Sequence, residues 1–178
     1  MSTFGELART RQSCRKYGDQ AVKGEQLRRM LETVRLAPSA CNSQPWHFTV
    51  VNGGDAAAQV AACLQDLGMN RFTAQCPAFV VINEEKANLS ATVGKRIKGQ
   101  EYAQMDIGIA AAHLCFAAME EGLSTCIIGW FDEKRLRKVT GIPENKRIRL
   151  VIAVGYADGA DPLRPKKRKE LSEIATFL

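Results

Sequence analysis

The sequence predicts one α+β domain, with a central sheet of about four to five strands, mixed or antiparallel, flanked by helices. Three observations predict it. Apolar residues recur at helical spacing in some segments and as short two-faced runs in others. These segments alternate in the order α, α, β, α, β, α, β, α, β, and no repeat or linker divides the 178 residues. The composition, 46% apolar and 25% charged, is that of a globular domain.

Taken in order, Thr3 and Glu6 form a capping-box pattern before a short first helix that ends near residues 11–17. Leu27, Met30, Leu31 and Val34 fall at i, i+3, i+4 and i+7, so 24–36 is a helix with one core face, stopped by Pro38. The loop 38–45, dense in small and amide residues, is too polar to be a mere spacer before the strand 47–52. Asp55 caps a helix through about residue 67. Residues 77–82 are apolar on both faces, as expected of an interior strand. From 84 to 104 the chain is polar without a sustained apolar period and reads as a mobile surface segment, a lid. The longest helix, 102–121, is apolar nearly all round between 107 and 119, which suits the middle of the molecule or an interface, and Gly122 ends it. A short strand at 125–130 runs into a glycine turn, Asp132 caps a helix to about residue 140, and 147–156 alternates as a final strand. Residues 157–178 form a basic tail.

Several chemistries are excluded. The six cysteines are scattered without a C-x-x-C pair, and the two histidines, His47 and His113, are far apart, which argues against zinc, a disulfide framework or an iron–sulfur cluster. The thiols read as reduced and structural, with Cys41 and Cys126 the two to watch. Dinucleotide, P-loop and nucleophile-elbow motifs are absent. No apolar run reaches membrane-spanning length, and the N-terminus lacks a secretory pattern, so a cytoplasmic, non-membrane protein is expected. The net charge of +6 is concentrated in Arg164, Lys166, Lys167, Arg168 and Lys169. Such a run is a solvated tail, a nucleic-acid or anionic-surface contact, or half of a phosphate site. The other half would be Arg11 and Arg15, if the chain termini meet.

The stretch from Arg11, Gln12, Ser13, Cys14 and Arg15 to Tyr17, followed by Pro38, Ser39, Ala40, Cys41, Asn42, Ser43, Gln44 and Pro45, resembles the nitroreductase family of FMN-dependent NAD(P)H oxidoreductases. Asn70-Arg71-Phe72, Asp106-Ile107-Gly108, Cys126-Ile127-Ile128-Gly129-Trp130, Gly155-Tyr156 and the Lys166–Lys169 run continue the resemblance in order, over nearly the whole chain. It implies an intertwined homodimer with FMN at the subunit interface. Arg11, the Gln12 backbone and Ser13 would meet the phosphate or ribityl chain, Lys166 and Arg168 would close on the phosphate, and Arg15 would lie near flavin N1 and O2. Pro38, Ser39 and Ala40 would come from the partner subunit with Asn42 and Gln44 close by. Asn70 would reach the pyrimidine edge, and Ile128 and Gly129 would offer backbone N–H groups near N5. Two positions depart from the pattern: Ala40 replaces a second small polar residue, and Thr73 stands where many relatives carry a lysine facing the flavin.

On this reading NADH or NADPH reduces FMN, leaves, and a small acceptor such as a nitroaromatic, quinone or flavin takes its place. No side chain is required as nucleophile or general acid; Arg15 and the Gly129 backbone act as electrostatic supports. Four charge-assisted contacts to a phosphate total roughly 6–12 kcal/mol against an association cost of about 4–15 kcal/mol, so the ring must also be buried, which a second subunit would do. The alternatives are the same fold and cofactor with dehalogenation or ene reduction, and a non-enzymatic anion- or nucleic-acid-binding module using the tail. The tail lacks the interleaved aromatics that nucleic-acid binding favours until Phe177.

Overall fold

The computed structural model describes residues 3–88, 91, 99–159 and 161–178. Helix α1, Phe4–Thr10, opens on the expected capping box: the Glu6 N–H donates to Thr3 Oγ1 at 3.3 Å and the Thr3 N–H to the Glu6 carboxylate at 2.7 Å. Helix α2, Gly24–Val34, turns Leu27, Met30 and Val34 into the core. Strand β1, Trp46–Asn52, leads into α3, Gly54–Leu64. Asp55 is not the cap of this helix. Gly53 and Gly54 take φ of 72° and 62°, a left-handed pair that glycine adopts cheaply, and Asp55 falls in the first turn. The helix also stops short of residue 67, because Leu67 takes φ 51° within the turn Asp66–Gly68.

A further 3₁₀ turn, Arg71–Gln75, precedes β2, Ala78–Glu84. Helix α4 is Tyr102–Glu120, β3 is Ser124–Ile128, α5 is Glu133–Thr140 and β4 is Ile148–Gly155. Asp132 does cap α5, its carboxylate accepting from the Arg135 N–H at 2.9 Å. A short helix, α6, Leu171–Ile174, lies in the tail where none was expected. Residues 89–90 and 92–98 of the anticipated lid lie outside the described residues.

The four strands are antiparallel, in the order β1-β2-β4-β3, with β2 interior as its two-faced apolar run requires. The final strand does not alternate as expected. Its residues from Val151 to Gly155 are all buried, because helices cover both faces of the sheet. On one face Val80, Ile82, Ile152 and Val154 pack with α2 and α4; on the other Phe79, Val81, Val151 and Ala153 pack with α3 and α5. Gly155 is constrained by close approach, since a Cβ there would meet Pro77 Cδ and Tyr17 Cδ1, each at 2.8 Å.

Helix α4 is both core and surface. Ile107, Ala111 and Leu114 are buried, while Ile109, Ala112 and Phe116 line an open groove of about 490 Å³ with Phe4 and Leu7 of α1. Phe4 and Phe116 are in ring contact there at 5.0 Å. Among the described residues no helix is long and apolar enough to cross a membrane, and no cluster of side chains is arranged to hold a metal. β3 is an edge strand, and the chain termini assemble along its outer side.

Candidate functional site

Residues 11–17 run extended beside β3. Ser13 bridges Thr125 in parallel and the Cys14 N–H donates to Thr125 O at 2.9 Å. Tyr17 bridges Ala157, so the segment is wedged between β3 and the chain leaving β4. The tail is fastened to it from outside. The Gln12 amide donates to Pro162 O at 3.2 Å, and its carbonyl accepts from the Arg164 N–H at 3.0 Å. The Arg164 guanidinium donates to Ser13 O and to Asp161 Oδ1, both at 2.5 Å, and Lys166 Nζ donates to Arg11 O. The termini therefore meet. Arg164, Asp161 and the Gln12 side chain hold them together, roles that no local pattern announces because the bonded partners stand about 150 residues apart in sequence.

The junction encloses a cleft of about 300 Å³ lined by Arg11, Gln12, Ser13, Arg15, Arg164, Lys166, Lys167 and Arg168. No carboxylate is among its described lining residues; Asp161, next to it in the tail, is engaged by Arg164. Among the described residues Arg11, Arg15, Lys166 and Arg168 form no ion pair. Lost hydration, then the charges of Arg11, Arg168 and Arg164, hold the Lys166 ammonium below the usual lysine range. Beneath lies Cys126, whose thiol is pushed up by burial and drawn the other way by Arg15, Ser13 and Arg11. Cys76 is pushed up to about 12, chiefly by burial. Cys41 is exposed and the other five cysteines are buried and free.

A second group of expected residues lies farther along the same edge. Because Ser13 pairs in parallel with Thr125, Arg15 stands toward the Ile128 end of β3. Strand alternation turns the backbone of Thr125 and Ile127 outward and that of Ile128 toward β4. Asn70, at φ 50°, donates from Nδ2 to Leu64 O at 3.1 Å and Trp130 O at 3.2 Å, which ties its loop to the residues after β3. Thr73 does not face a ligand. It is fully buried, its hydroxyl within bonding distance of Asn70 O at 2.8 Å and Ala61 O at 3.2 Å.

The loop 38–45 stands apart from the basic cleft within one chain. Cys41, Asn42 and Gln44 all take left-handed φ of 45–52°. The loop is held by the Ser39 hydroxyl, which accepts from the Gln44 N–H at 2.9 Å, and by the buried Asp106 carboxylate, which accepts from the Ala40 N–H at 3.2 Å. Gln44 Nε2 also donates to Asn42 O and Oδ1. Asp106 was not singled out from sequence as an anchor, although an acid on the buried face of an apolar helix is a visible signal. Pro38 is exposed beside this loop.

Comparison with known proteins gives a consistent answer. The model of the nitroreductase family matches residues 8–67 and 55–156. A Bacillus subtilis (strain 168) protein named as a candidate NAD(P)H nitroreductase, YodC, is 27% identical over 204 residues, covering 100% of this chain and of its own. The solved structure of a nitroreductase family protein from Streptococcus pneumoniae TIGR4 superposes with a TM-score of 0.83 at 24% identity, covering 99% of this chain and 100% of that one. A candidate nitroreductase from Exiguobacterium sibiricum 255-15, solved in complex with FMN, superposes with a TM-score of 0.85 at 20% identity, covering 100% and 98%. These two structural likenesses concern the fold.

Proposed function

The chain belongs to the nitroreductase family, and from that premise we propose that it is an FMN-dependent oxidoreductase drawing electrons from NADH or NADPH and passing them to a small organic acceptor. The observation that carries this reading is the excess of cationic side chains where the two termini close on one cleft. A phosphate monoester brings about −1.5 to −2 charges and three acceptor oxygens, which suits a donor set of guanidinium and ammonium groups with no carboxylate among the described lining residues. Arg11, Lys166 and Arg168 would hold the phosphate, with Ser13 and the Gln12 backbone toward the ribityl chain.

Bound FMN would supply the chemistry of accepting a hydride from the nicotinamide and yielding two electrons to the acceptor, in separate half-reactions. Arg15, farther along the β3 edge, places a fixed positive charge where the reduced ring would be anionic. The backbone of Gly129 would supply a donor, and Asn70 would present its carbonyl oxygen, its amide nitrogen being used on Leu64 and Trp130. For a nitro compound the balance is one hydride and one proton in, one nitroso group and one water out.

The phosphate contacts alone do not outweigh the cost of association, so a second subunit would cover the ring. The exposed apolar side of α1 and α4 around Phe4, Ile109 and Phe116 suits that homodimer. The strained loop 38–45 would then approach the partner's cofactor through Pro38, Ser39, Ala40, Asn42 and Gln44. The test is a visible spectrum of the purified protein, with added FMN, before and after anaerobic NADH or NADPH. A bound yellow chromophore bleached by either nicotinamide is expected; failure to take up FMN rejects the proposal.

A further inference from the structure

We infer that Lys134, Arg135 and Lys138, on the outward side of α5, form a second phosphate site that takes the adenosine 2′-phosphate of the electron donor, so that the donor is NADPH. The inference rests on the flavoenzyme reading and narrows it to one of the two nicotinamides. Helix α5 divides its charges between two sides. Leu136 is fully buried, and Glu133 is engaged by both Arg137 and Arg147, so the acid of the helix is spent on its own neighbours. Lys134, Arg135 and Lys138 are exposed and form no ion pair among the described residues.

Together with Asp132 these three line a cleft of about 230 Å³. The Asp132 carboxylate is used as the helix cap, accepting from the Arg135 N–H at 2.9 Å. Three cations against one carboxylate leave an excess of two positive charges in the cleft. A phosphate monoester carries about −1.5 to −2. The arrangement is not one a helix favours for its own sake. Lys134 and Lys138 stand at i, i+4, where like charges repel, and Lys134 and Arg135 lie in the first turn, where the helix dipole disfavours cations. A bound dianion would relieve both.

The location decides the occupant. The Asp132 N–H donates to Cys63 O at 2.9 Å, and Asn70 Nδ2 donates to Leu64 O at 3.1 Å and to Trp130 O at 3.2 Å. The start of α5 and the Asn70 turn are thus pinned to adjacent carbonyls at the end of α3. Asn70 and Gly129 are the residues proposed to meet the flavin ring, and Gly129 is three residues from Asp132, a span of at most about 11 Å. The cleft therefore lies on the rim of the ring site. The 2′-phosphate is at the far end of the dinucleotide from the nicotinamide, so its binder belongs outside the ring site, where this cleft stands. The other cationic cleft, at the termini, is taken by the FMN phosphate on the same reading.

The test uses FMN-loaded protein with ferricyanide as acceptor and compares kcat/KM for NADPH and NADH. Wild-type protein should favour NADPH by at least about tenfold, and Lys134→Ala and Arg135→Ala should each lower that ratio about tenfold, with Arg135→Lys restoring most of it. A second readout needs no turnover. Adenosine 2′,5′-bisphosphate, titrated by calorimetry, should bind at least about tenfold more tightly than adenosine 5′-phosphate, and Lys134→Ala should remove most of the difference. The three side chains are exposed, so these variants should fold, as circular dichroism will show. Equal use of the two nicotinamides by the wild type, or bisphosphate binding indifferent to the substitutions, overturns the inference. An equal fall for NADPH and NADH overturns it in favour of the pyrophosphate that both carry. Protein that takes up no FMN overturns the functional reading beneath, while the bisphosphate titration, which does not depend on flavin, still decides the site.

Discussion

Two charged regions of this molecule are built on opposite plans. Around the ends of β2 and β4 four cations each meet an acid: Lys146 with Glu85, Arg149 with Glu84, and Arg137 and Arg147 both with Glu133. Where the termini meet, Arg11, Arg15, Lys166 and Arg168 face one cleft with no carboxylate among its described lining residues, the neighbouring Asp161 being taken by Arg164. The first region fastens strands and turns, with each of its four cations in contact with one of three acids. The second holds like charges together at an electrostatic cost, which an anion of about two charges would relieve. A charge run in a sequence does not distinguish these plans; the partner each side chain meets does.

The sharpest way to break the comparison is to remove charge from the unbalanced side. Arg11→Ala with Arg168→Ala should weaken FMN binding by about 3–6 kcal/mol, from two charge-assisted contacts, with little change in melting temperature, as read by flavin fluorescence titration and calorimetry. An equal loss of stability would mean that these arginines fasten the fold, as the paired region does. Next in size, Thr73→Lys, which restores a residue common in relatives, should cost several kcal/mol of stability, because the fully buried hydroxyl site offers no carboxylate to a cation. Chemical denaturation measures this, and a neutral effect would mean that the side chain can swing toward the cleft.

Asp106→Ala should cost about 1–3 kcal/mol by leaving the Ala40 N–H without its acceptor. It should also loosen the loop 38–45, visible as faster amide exchange there; unchanged exchange would show that the Ser39 hydroxyl alone holds the bend. The smallest effect belongs to the paired region. Lys146 beside Glu85 holds that carboxyl below its usual value, so the pair stabilises the fold above about pH 4.3 and the contribution is lost as pH falls through the lower folded-state value. The pair is partly exposed, and Glu85→Gln should flatten the acid limb of stability by less than about 1 kcal/mol.

Elements with a strong local period were legible in the sequence. Helix α4 begins at Tyr102 as read, Asp132 caps α5, and β2 lies inside the sheet because both its faces are apolar. The errors fall where local and tertiary signals part. Asp55 is a good cap by type, yet two glycines before it make the turn. Residues 65–67 continue a helical pattern that the left-handed Leu67 breaks. Of the basic junction, the charges were visible but the fasteners were not, since Gln12 and Arg164 bond across the length of the chain. Thr73 stands out in sequence only as a departure from the family pattern, and its full burial shows that this position belongs to the core.

The central claim is that the termini form a phosphate clamp, and comparing FMN with riboflavin tests it most directly, because the two differ only in the phosphate. FMN should bind this protein at least about a thousandfold more tightly than riboflavin, the advantage should shrink as pH falls through about 6 and the phosphate loses a charge, and Arg11→Ala should remove much of it. Equal affinity for the two flavins, independent of pH, would contradict the account.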